Sequence, residues 1–228
     1  MKILSLIFLV AVTQSGWAAI RDNISGNFTV ASNYTYRGIS RHKDNKAAYG
    51  TLVYVSENGL YAGAWLGHYK PLWNSEADTE TDLYVGFSHE FKFGNNIDTS
   101  FWHGSYAENT IRDYDWIEWQ ISYHYHDRWG FTLALADNLY GSDEHSAFFE
   151  VSFVHQTDLL TIFVSLGRQQ FDSRHLSDVT YLHTRVSLDW RNWHLFLENS
   201  FTHLESDSAF FSQDWNTKPS GIGLAYTF

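Results

Sequence analysis

Residues Asp115–Tyr125 read Asp-Trp-Ile-Glu-Trp-Gln-Ile-Ser-Tyr-His-Tyr, and this stretch decides the fold class. From position 117 onward its odd-numbered residues are isoleucine, tryptophan or tyrosine. The even-numbered residues between them are glutamate, glutamine, serine and histidine. Successive side chains of a β-strand point to opposite faces, whereas a helix would scatter both sets around its circumference. The stretch therefore predicts a strand with one apolar face and one polar face.

The same two-residue period recurs along the chain and predicts twelve strands, of which the fifth has the most diluted pattern. The predicted segments are 26–36, 47–56, 60–69, 79–92, 96–107, 114–126, 130–137, 146–155, 159–170, 179–189, 193–204 and 219–228. The links between them alternate without exception between short turns, such as 57–59, and longer, more charged loops, such as 70–78. This alternation is typical of outer-membrane barrels. We therefore expect an all-β fold, a transmembrane antiparallel up-and-down β-barrel of 12 strands, with 10 strands as the alternative.

The first 18 residues have the pattern of a secretory signal peptide. Lys2 follows the initial methionine, residues 3–12 are apolar except for Ser5, and the segment ends in the small residues Gly16 and Ala18. A membrane-spanning helix needs about 20 apolar residues, so this run is too short to be an anchor. We expect cleavage after Ala18, which leaves residues 19–228 as the barrel domain.

The composition excludes several classes of function. The chain has no cysteine, which excludes disulfide scaffolds, cysteine-based zinc sites and thiol catalysis. Its formal net charge of −11 has the wrong sign for a nucleic-acid partner. The sequence also lacks the glycine-rich phosphate loops and the HExxH pattern of nucleotide and zinc-protease sites. We expect no cofactor and no bound metal.

The two faces of the predicted strands suggest which side chains meet lipid and which enclose water. In a membrane barrel the outward face is apolar and aromatic residues form girdles at both interfaces. The expected girdle consists of Trp65, Phe91, Trp102, Trp119, Tyr125, Trp129, Trp190 and Trp193. The opposite parity gives the pore-lining candidates Arg37, Asp82, Glu90, Glu118, Gln120, Glu150, Arg185 and Glu198. Carboxylates outnumber cations there, which favours cations or neutral polar solutes. The alternative is a structural polar network that fills the interior.

Two further segments carry specific expectations. The last eight residues alternate and end in Tyr226-Thr227-Phe228, which resembles the C-terminal assembly signal of bacterial outer-membrane proteins and implies the barrel-assembly machinery as a partner. The loop 37–46 is basic, with Arg37, Arg41, Lys43 and Lys46 against one acid. Such a loop would fold inward over an acidic lumen, contact lipopolysaccharide phosphates, or remain solvated.

The N-terminal part of the mature chain resembles a known proteobacterial family. Asn33-Tyr34-Thr35-Tyr36-Arg37-Gly38-Ile39-Ser40 is similar to the SxYxxRGxS signature of the TorF-type porins, a family of exported proteins without a characterised function. Residues 57–65 and 82–87 resemble that family's next two strands, whereas the chain between residue 90 and the C-terminal strand matches only loosely. The resemblance implies an outer-membrane barrel with a proposed channel role, and it supplies no catalytic residues. Gly38 would permit a turn that lets Arg37 enter the pore mouth.

Two rival chemistries remain as alternatives. His103 and Ser105 share a strand face, as in outer-membrane phospholipases, but no third group that would orient the histidine is evident. His124 and His126 have the spacing of a metal-binding pair, although a chain with 12 histidines produces such spacing by chance.

These observations together predict a non-enzymatic, porin-like channel in a Gram-negative outer membrane. It would pass small hydrophilic solutes through a mildly cation-preferring lumen and contact outer-membrane lipid and lipopolysaccharide. The alternatives are a structural or lipopolysaccharide-interacting barrel that does not conduct and, less favoured, a barrel phospholipase. The identity of the solute is beyond the sequence.

Overall fold

The fold is a closed antiparallel β-barrel, seen in a computed structural model that describes residues 23–41, 46–68, 79–106, 115–139, 143–172, 176–205 and 219–228. The signal-peptide segment and large parts of the predicted long loops lie outside the described residues. No helix within the described ranges is both long and apolar enough to cross a membrane.

Twelve strands form the barrel wall, and two very short strands form a separate two-stranded sheet. The barrel strands are β1 (Ile24–Ala31), β4 (Ala47–Val55), β5 (Leu60–His68), β6 (Thr79–Glu90), β7 (Asn96–Tyr106), β8 (Trp116–Tyr125), β9 (Trp129–Asp137), β10 (His145–Gln156), β11 (Leu160–Phe171), β12 (Val179–Trp190), β13 (Trp193–Leu204) and β14 (Ser220–Thr227). The separate pair is β2 (Thr35–Tyr36) and β3 (Ile39–Ser40). The 12-strand prediction is confirmed, including its weakest segment, which is β7.

Each barrel strand pairs with its neighbours along the chain, and the barrel closes where β1 meets β14. The closing register runs from Asn27↔Thr227 to Ala31↔Gly223, and the backbones of Gly26 and Phe228 exchange hydrogen bonds of 3.1 and 3.0 Å. A closed barrel has no unpaired strand edge, as is required of a sheet surrounded by hydrocarbon.

The wall has an apolar outside and a largely polar inside, as the alternation predicts. Leu83 and Val85 of β6 are 58% and 56% exposed, whereas Asp82 and Tyr84 between them are 8% and 3% exposed. The same contrast recurs around the barrel, where Phe101, Ile117, Leu133, Phe149, Leu166, Leu188, Leu197 and Phe201 are exposed on the outer face. Exposed apolar side chains thus recur around the whole described wall, which suits contact with lipid chains.

The first predicted strand needs correction, because the sequence pattern merged two elements. Segment 26–36 was expected to be one strand, yet β1 ends at Ala31 and residues 35–36 belong to the separate two-stranded sheet. The two-residue alternation continues through Asn33, Tyr34, Thr35 and Tyr36, but these residues are not part of a wall strand. The chain leaves the wall after β1, which moves the following residues into the barrel.

The aromatic girdle also needs correction at two positions. Trp65 and Trp102 lie on the inward parity of β5 and β7, where they stack on other rings inside the barrel. Girdle residues on the outer face concentrate at the end of the barrel that has the short turns, where Phe91, Tyr125, Trp129, Trp190 and Trp193 are exposed. Where both faces of a strand carry aromatic residues, the two-residue period cannot tell which of them face lipid and which face the interior.

Candidate functional site

The candidate site is the barrel interior, and its central feature is a hairpin formed by residues 33–41, here called the inner hairpin. Its two strands pair Thr35 with Ser40 and Tyr36 with Ile39, and the Arg41 amide donates to the Tyr34 carbonyl at 2.8 Å. Arg37 and Gly38 form the turn with φ values of 48° and 79°. The hairpin begins at the barrel end where the long loops are and points into the lumen.

Gly38 allows the turn to approach the wall closely. A Cβ at this position would overlap the Tyr181 side chain of β12, and the Gly38 carbonyl accepts a 2.5 Å hydrogen bond from the Thr202 hydroxyl of β13. A positive φ and a close backbone contact are the two conditions that favour glycine. Both conditions hold at position 38, which explains why a glycine there permits the turn.

Arg37 occupies a site built from three wall strands. Its guanidinium donates to Glu118 Oε1 of β8 and to Gln169 Oε1 of β11, both at 2.7 Å. The ring of Phe148 on β10 lies 3.9 Å from the guanidinium carbon, within cation–π range. The side chains of Arg37 and Glu118 are only 4% and 3% exposed, so this is a buried ion pair.

Arg41 is held by a second carboxylate on the neighbouring part of the wall. Its guanidinium lies 3.3 Å from Glu80 Oε2 of β6 and donates to the Tyr106 hydroxyl at 2.6 Å. Tyr106 and Trp116 in turn donate to Glu80 Oε1 at 2.7 and 3.3 Å. Asp82, one inward position along β6, lies within electrostatic range of Arg41, Glu80 and Glu118.

Aromatic and apolar contacts hold the remaining sides of the inner hairpin. Tyr34 stacks on Trp65 of β5 at 5.5 Å between ring centroids and lies 4.9 Å from the ring of Tyr49 on β4. Burial, with a contribution from Glu80, raises the pKa of the Tyr34 phenol well above its ordinary value, so the ring stays neutral. Ile39 is 2% exposed in an apolar cluster at the long-loop end, which also contains Tyr106, Trp116, Ala136, Leu139, Phe171, Leu176 and Val179.

The base of the inner hairpin is fixed to the last strand. Asn33 Nδ2 donates to the Ser220 carbonyl at 3.4 Å, and Asn33 Oδ1 accepts from the Ser40 hydroxyl at 2.7 Å. The amide of Ser32 donates to the Ile222 carbonyl at 2.9 Å. With these contacts the hairpin reaches β4 to β8 on one side of the lumen and β10 to β14 on the other, so it lies across the barrel.

Polar side chains of the wall form further pairs around the inner hairpin. Arg185 of β12 pairs with Glu198 of β13 and lies 4.3 Å over the ring of Phe196. Glu150 of β10 accepts a 2.5 Å hydrogen bond from the Tyr181 hydroxyl. Much of the interior charge is therefore compensated by neighbouring side chains.

The short-turn half of the interior differs in character from the half that holds the inner hairpin. Asp98 accepts from the Tyr61 hydroxyl at 2.9 Å, and Asp189 accepts from Thr161 at 2.6 Å and contacts His194 at 2.8 Å. The inward positions around them are mostly small and polar, namely Ser100, Ser122, Gly130, Thr132, Ser152, Ser187, Ala225 and Thr227. Small residues leave more room here than on the side of the hairpin.

The structure brings most of the sequence-predicted residues together. Asp82, Glu118, Glu150 and Glu198 are 3–8% exposed and face the interior, together with the partly buried Gln120 and Arg185, while Arg37 joins them from the inner hairpin. Glu90 lies apart, exposed at the short-turn end of β6. Whether these residues line an open pore stays a prediction.

Several partners of the arginines were not among the predicted residues. Glu80 lies on the same inward-facing side of β6 as Asp82, so the alternation could have predicted it. Gln169, Phe148 and Tyr106 also lie on the inward side of their strands, but no local sequence feature marks them as partners of the arginines, because that role arises from the register of distant strands with the inner hairpin.

The structure does not form the phospholipase-like pair of His103 and Ser105, or the metal-binding pair of His124 and His126, that the sequence spacing suggested. The Ser105 hydroxyl donates to the Thr81 carbonyl at 3.2 Å, and the His103 ring contacts the Gly104 carbonyl at 3.3 Å. His124 faces the interior at the end of β8, whereas His126 lies in the following turn with a φ of 51°. Among the described residues no cluster of three or more histidine, aspartate or glutamate side chains is arranged to hold a metal.

The C-terminal residues lie at the seam of the barrel. Tyr226 packs against Trp193 of β13 at 4.8 Å between ring centroids and against Phe228 at 6.5 Å. Phe228 is 56% exposed on the outer face at the short-turn end. Their expected role in assembly stays a prediction.

Solved structures with a similar fold include porins and an outer-membrane channel. The KdgM porin matches with a TM-score of 0.56 at 11% identity over 90% of this chain and 99% of that one, and the same porin with disordered oligogalacturonate matches with the same score and identity. The COG4313 outer membrane channel from Pseudomonas putida F1 matches with a TM-score of 0.50 at 11% identity over 90% and 94% of the two chains. At these identities the likeness extends to the fold.

A comparison with curated proteins finds no match. A family model described as "bacterial protein of unknown function (Gcw_chp)" matches residues 17–217. Because this match covers most of the chain, the protein belongs to the Gcw_chp family.

Proposed function

We propose that this protein is a porin-like channel of a Gram-negative outer membrane that passes small hydrophilic solutes. The observation that carries the proposal is the closed wall with two opposite faces, apolar outside and polar inside. An apolar exterior needs lipid, and a polar interior needs water or polar partners. The fold shared with the KdgM porin and the P. putida channel supports the same proposal.

Several finer expectations form part of this proposal. The chain is exported with its first 18 residues as a signal peptide, it is a TorF-type porin, and its terminal Tyr226 and Phe228 are read by the barrel-assembly machinery. Outer-membrane lipid and lipopolysaccharide surround the wall. The channel is not an enzyme, which is supported by the separate local partners of His103 and Ser105.

The inner hairpin favours a second candidate, a barrel that does not conduct. Residues 33–41 lie across the lumen and are held by two buried arginines, so the inner hairpin obstructs part of the lumen at the long-loop end. In the channel proposal this conformation is the resting state, and conduction requires the hairpin to move. In the second candidate the hairpin never leaves, and the protein is a structural or lipopolysaccharide-interacting barrel.

Planar-bilayer recording separates the two candidates. Refolded wild-type protein is compared with the double variant Arg37→Ala/Arg41→Ala, which lacks both hairpin arginines, and with Arg128→Ala in an exposed turn as the matched control. We expect rare openings in wild type and control and frequent openings in the double variant. Silent bilayers for all three proteins at high protein load, with folding verified by heat-modifiable migration in gels, would exclude the channel.

The solute preference is a mild preference for cations. Within the described interior, the hairpin and wall place Arg37, Arg41 and Arg185 against Glu80, Asp82, Asp98, Glu118, Glu150, Asp189 and Glu198. Carboxylates that exceed the cations raise the local concentration of cations in a low-dielectric passage. The reversal potential of wild-type openings in a salt gradient tests this, because the wild type keeps Arg37 and Arg41, and an anion-selective sign would contradict it.

A further inference from the structure

The wall around Arg37 is arranged like a binding site for a guanidinium ion. Phe148 covers the flat face of the guanidinium at 3.9 Å, while Glu118 and Gln169 accept hydrogen bonds from two of its nitrogens at 2.7 Å. An aromatic face combined with in-plane carboxylate and amide oxygens satisfies a guanidinium in both ways that its chemistry allows. All three groups belong to the barrel wall, and the inner hairpin supplies the cation together with the Tyr36 ring, whose centroid lies 4.9 Å from the guanidinium carbon.

The wall offers more acceptors than the two arginines use. Glu118 Oε2 and Asp82 Oδ1 are buried and accept no hydrogen bond from the portion of the chain that the structure describes. Glu118 and Asp82 are only 3% and 8% exposed. Buried carboxylate oxygens normally have partners, so these two point to a ligand with additional N–H donors.

The inner hairpin can leave without disrupting the barrel. Its strands β2 and β3 pair only with each other in a sheet separate from the wall. Hydrogen bonds between the twelve wall strands would therefore remain if Arg37 and Arg41 moved out. The departure would expose Glu80, Asp82, Glu118 and Glu150 together, and this acidic group would need a cation from elsewhere.

We propose that the Phe148, Glu118 and Gln169 site binds the guanidinium group of a small solute, and that Arg37 occupies it as a tethered competitor. The inference deepens the proposed channel function by naming the solute class, small guanidinium compounds. When the solute displaces Arg37, it removes one of the two arginine ion pairs that hold the inner hairpin across the lumen. Solute binding then favours opening, because the solute and Arg37 compete for the same carboxylate.

The test measures binding directly, so it does not depend on conductance. Methylguanidinium chloride is titrated calorimetrically into folded wild-type protein, Arg37→Ala and Arg37→Ala/Glu118→Gln, with potassium chloride at equal ionic strength as the control salt. A tethered side chain competes at an effective concentration of about millimolar or more. Arg37→Ala should therefore bind methylguanidinium about tenfold tighter than wild type, and the double variant should lose this gain.

Equal affinity of wild type and Arg37→Ala, or a gain that survives Glu118→Gln, would overturn the inference. Arg37→Gln provides a second way to vacate the site if Arg37→Ala does not fold. Conductance of Arg37→Ala is recorded in parallel. An open variant that does not bind methylguanidinium contradicts the solute class alone, whereas a binding variant that never conducts contradicts the channel.

Discussion

Tyr84 of β6 and Gly63 of β5 are direct register partners, and the Tyr84 ring occupies the space in which a side chain at position 63 would lie. The same relationship holds for Tyr61 and Gly86 one step along the same strand pair. At both positions the absence of a Cβ on the neighbouring strand lets the inward-facing ring lie against the wall. Glycines on the inner face therefore decide how far the aromatic residues extend into the lumen.

Gly86→Ala should destabilise the barrel by about 1–3 kcal/mol, because the new Cβ must displace the Tyr61 ring from the wall. The measurement is urea unfolding of protein refolded into lipid vesicles. Gly221→Ala is the matched control, since a Cβ there would have its nearest neighbours at 3.4–3.5 Å, an ordinary contact distance. Equal losses at both positions would show that the ring contact is not the cause.

Glu118→Ala should destabilise the protein by about 3–5 kcal/mol, since it leaves the Arg37 guanidinium buried without its carboxylate. Glu205→Ala is the comparison, because it breaks the 2.6 Å pair with Arg168, whose side chain is 39% exposed, and little change is expected there. Urea titration is again suitable, whereas guanidinium chloride is not, since it would compete for the same site. A small loss for Glu118→Ala would mean that Arg37 readily finds other partners.

Leu133→Arg and Thr132→Arg test the assignment of the two faces within one strand. Leu133 is 42% exposed on the outside of β9, and Thr132 faces the interior. A lipid-facing arginine costs about 2–4 kcal/mol near the middle of a bilayer and less near the interfaces, whereas substitutions facing the lumen mainly change selectivity. We expect the larger loss of stability in vesicles for Leu133→Arg. The reverse order would contradict the membrane orientation of the wall.

Asp98→Asn combined with Asp189→Asn should reduce cation preference more than Glu118→Gln combined with Glu150→Gln. The first two carboxylates lie in the short-turn half, away from the arginines, whereas Glu118 pairs with Arg37. A carboxylate that is already paired adds little to the field in the lumen. The reversal potential is measured for each pair of substitutions in a chain that keeps Arg37 and Arg41, and Asp172→Asn at the exposed rim is the control. A larger effect of the second pair would place the selective charges beside the inner hairpin.

Much of the wall was predictable from the sequence, because alternation of apolar and polar residues is a direct consequence of one face meeting lipid. The pattern located even β7, where serine, threonine and asparagine dilute it. The same logic failed for residues 33–36, because the segment keeps the two-residue period after it has left the wall. It also failed for Trp65 and Trp102, since a narrow interior accepts aromatic rings as readily as lipid does.

The interior of the site was predictable only in part. Parity identified Glu118, Glu150 and Glu198 as inward-facing candidates, whereas inward folding was one of three outcomes that the charge of loop 37–46 left open. It gave no way to know that Arg37 meets Glu118 and Gln169, which are 81 and 132 positions away in the chain. Such contacts depend on the register of every strand between them, and a register is a property of the closed barrel as a whole.

An engineered disulfide between positions 33 and 221 tests whether the inner hairpin must move. A Cβ at Gly221 would lie 3.5 Å from the Cβ of Asn33, at the lower end of the separations found in disulfides, and the chain contains no other cysteine. The variant Asn33→Cys/Gly221→Cys should open less often when oxidised than after reduction, because the bond ties the base of the hairpin to β14. Each single cysteine variant, treated with the same oxidant and reductant, controls for effects unrelated to the bond. Equal activity in both redox states, with the cross-link verified by mass spectrometry, would mean that conduction does not require the hairpin base to leave β14.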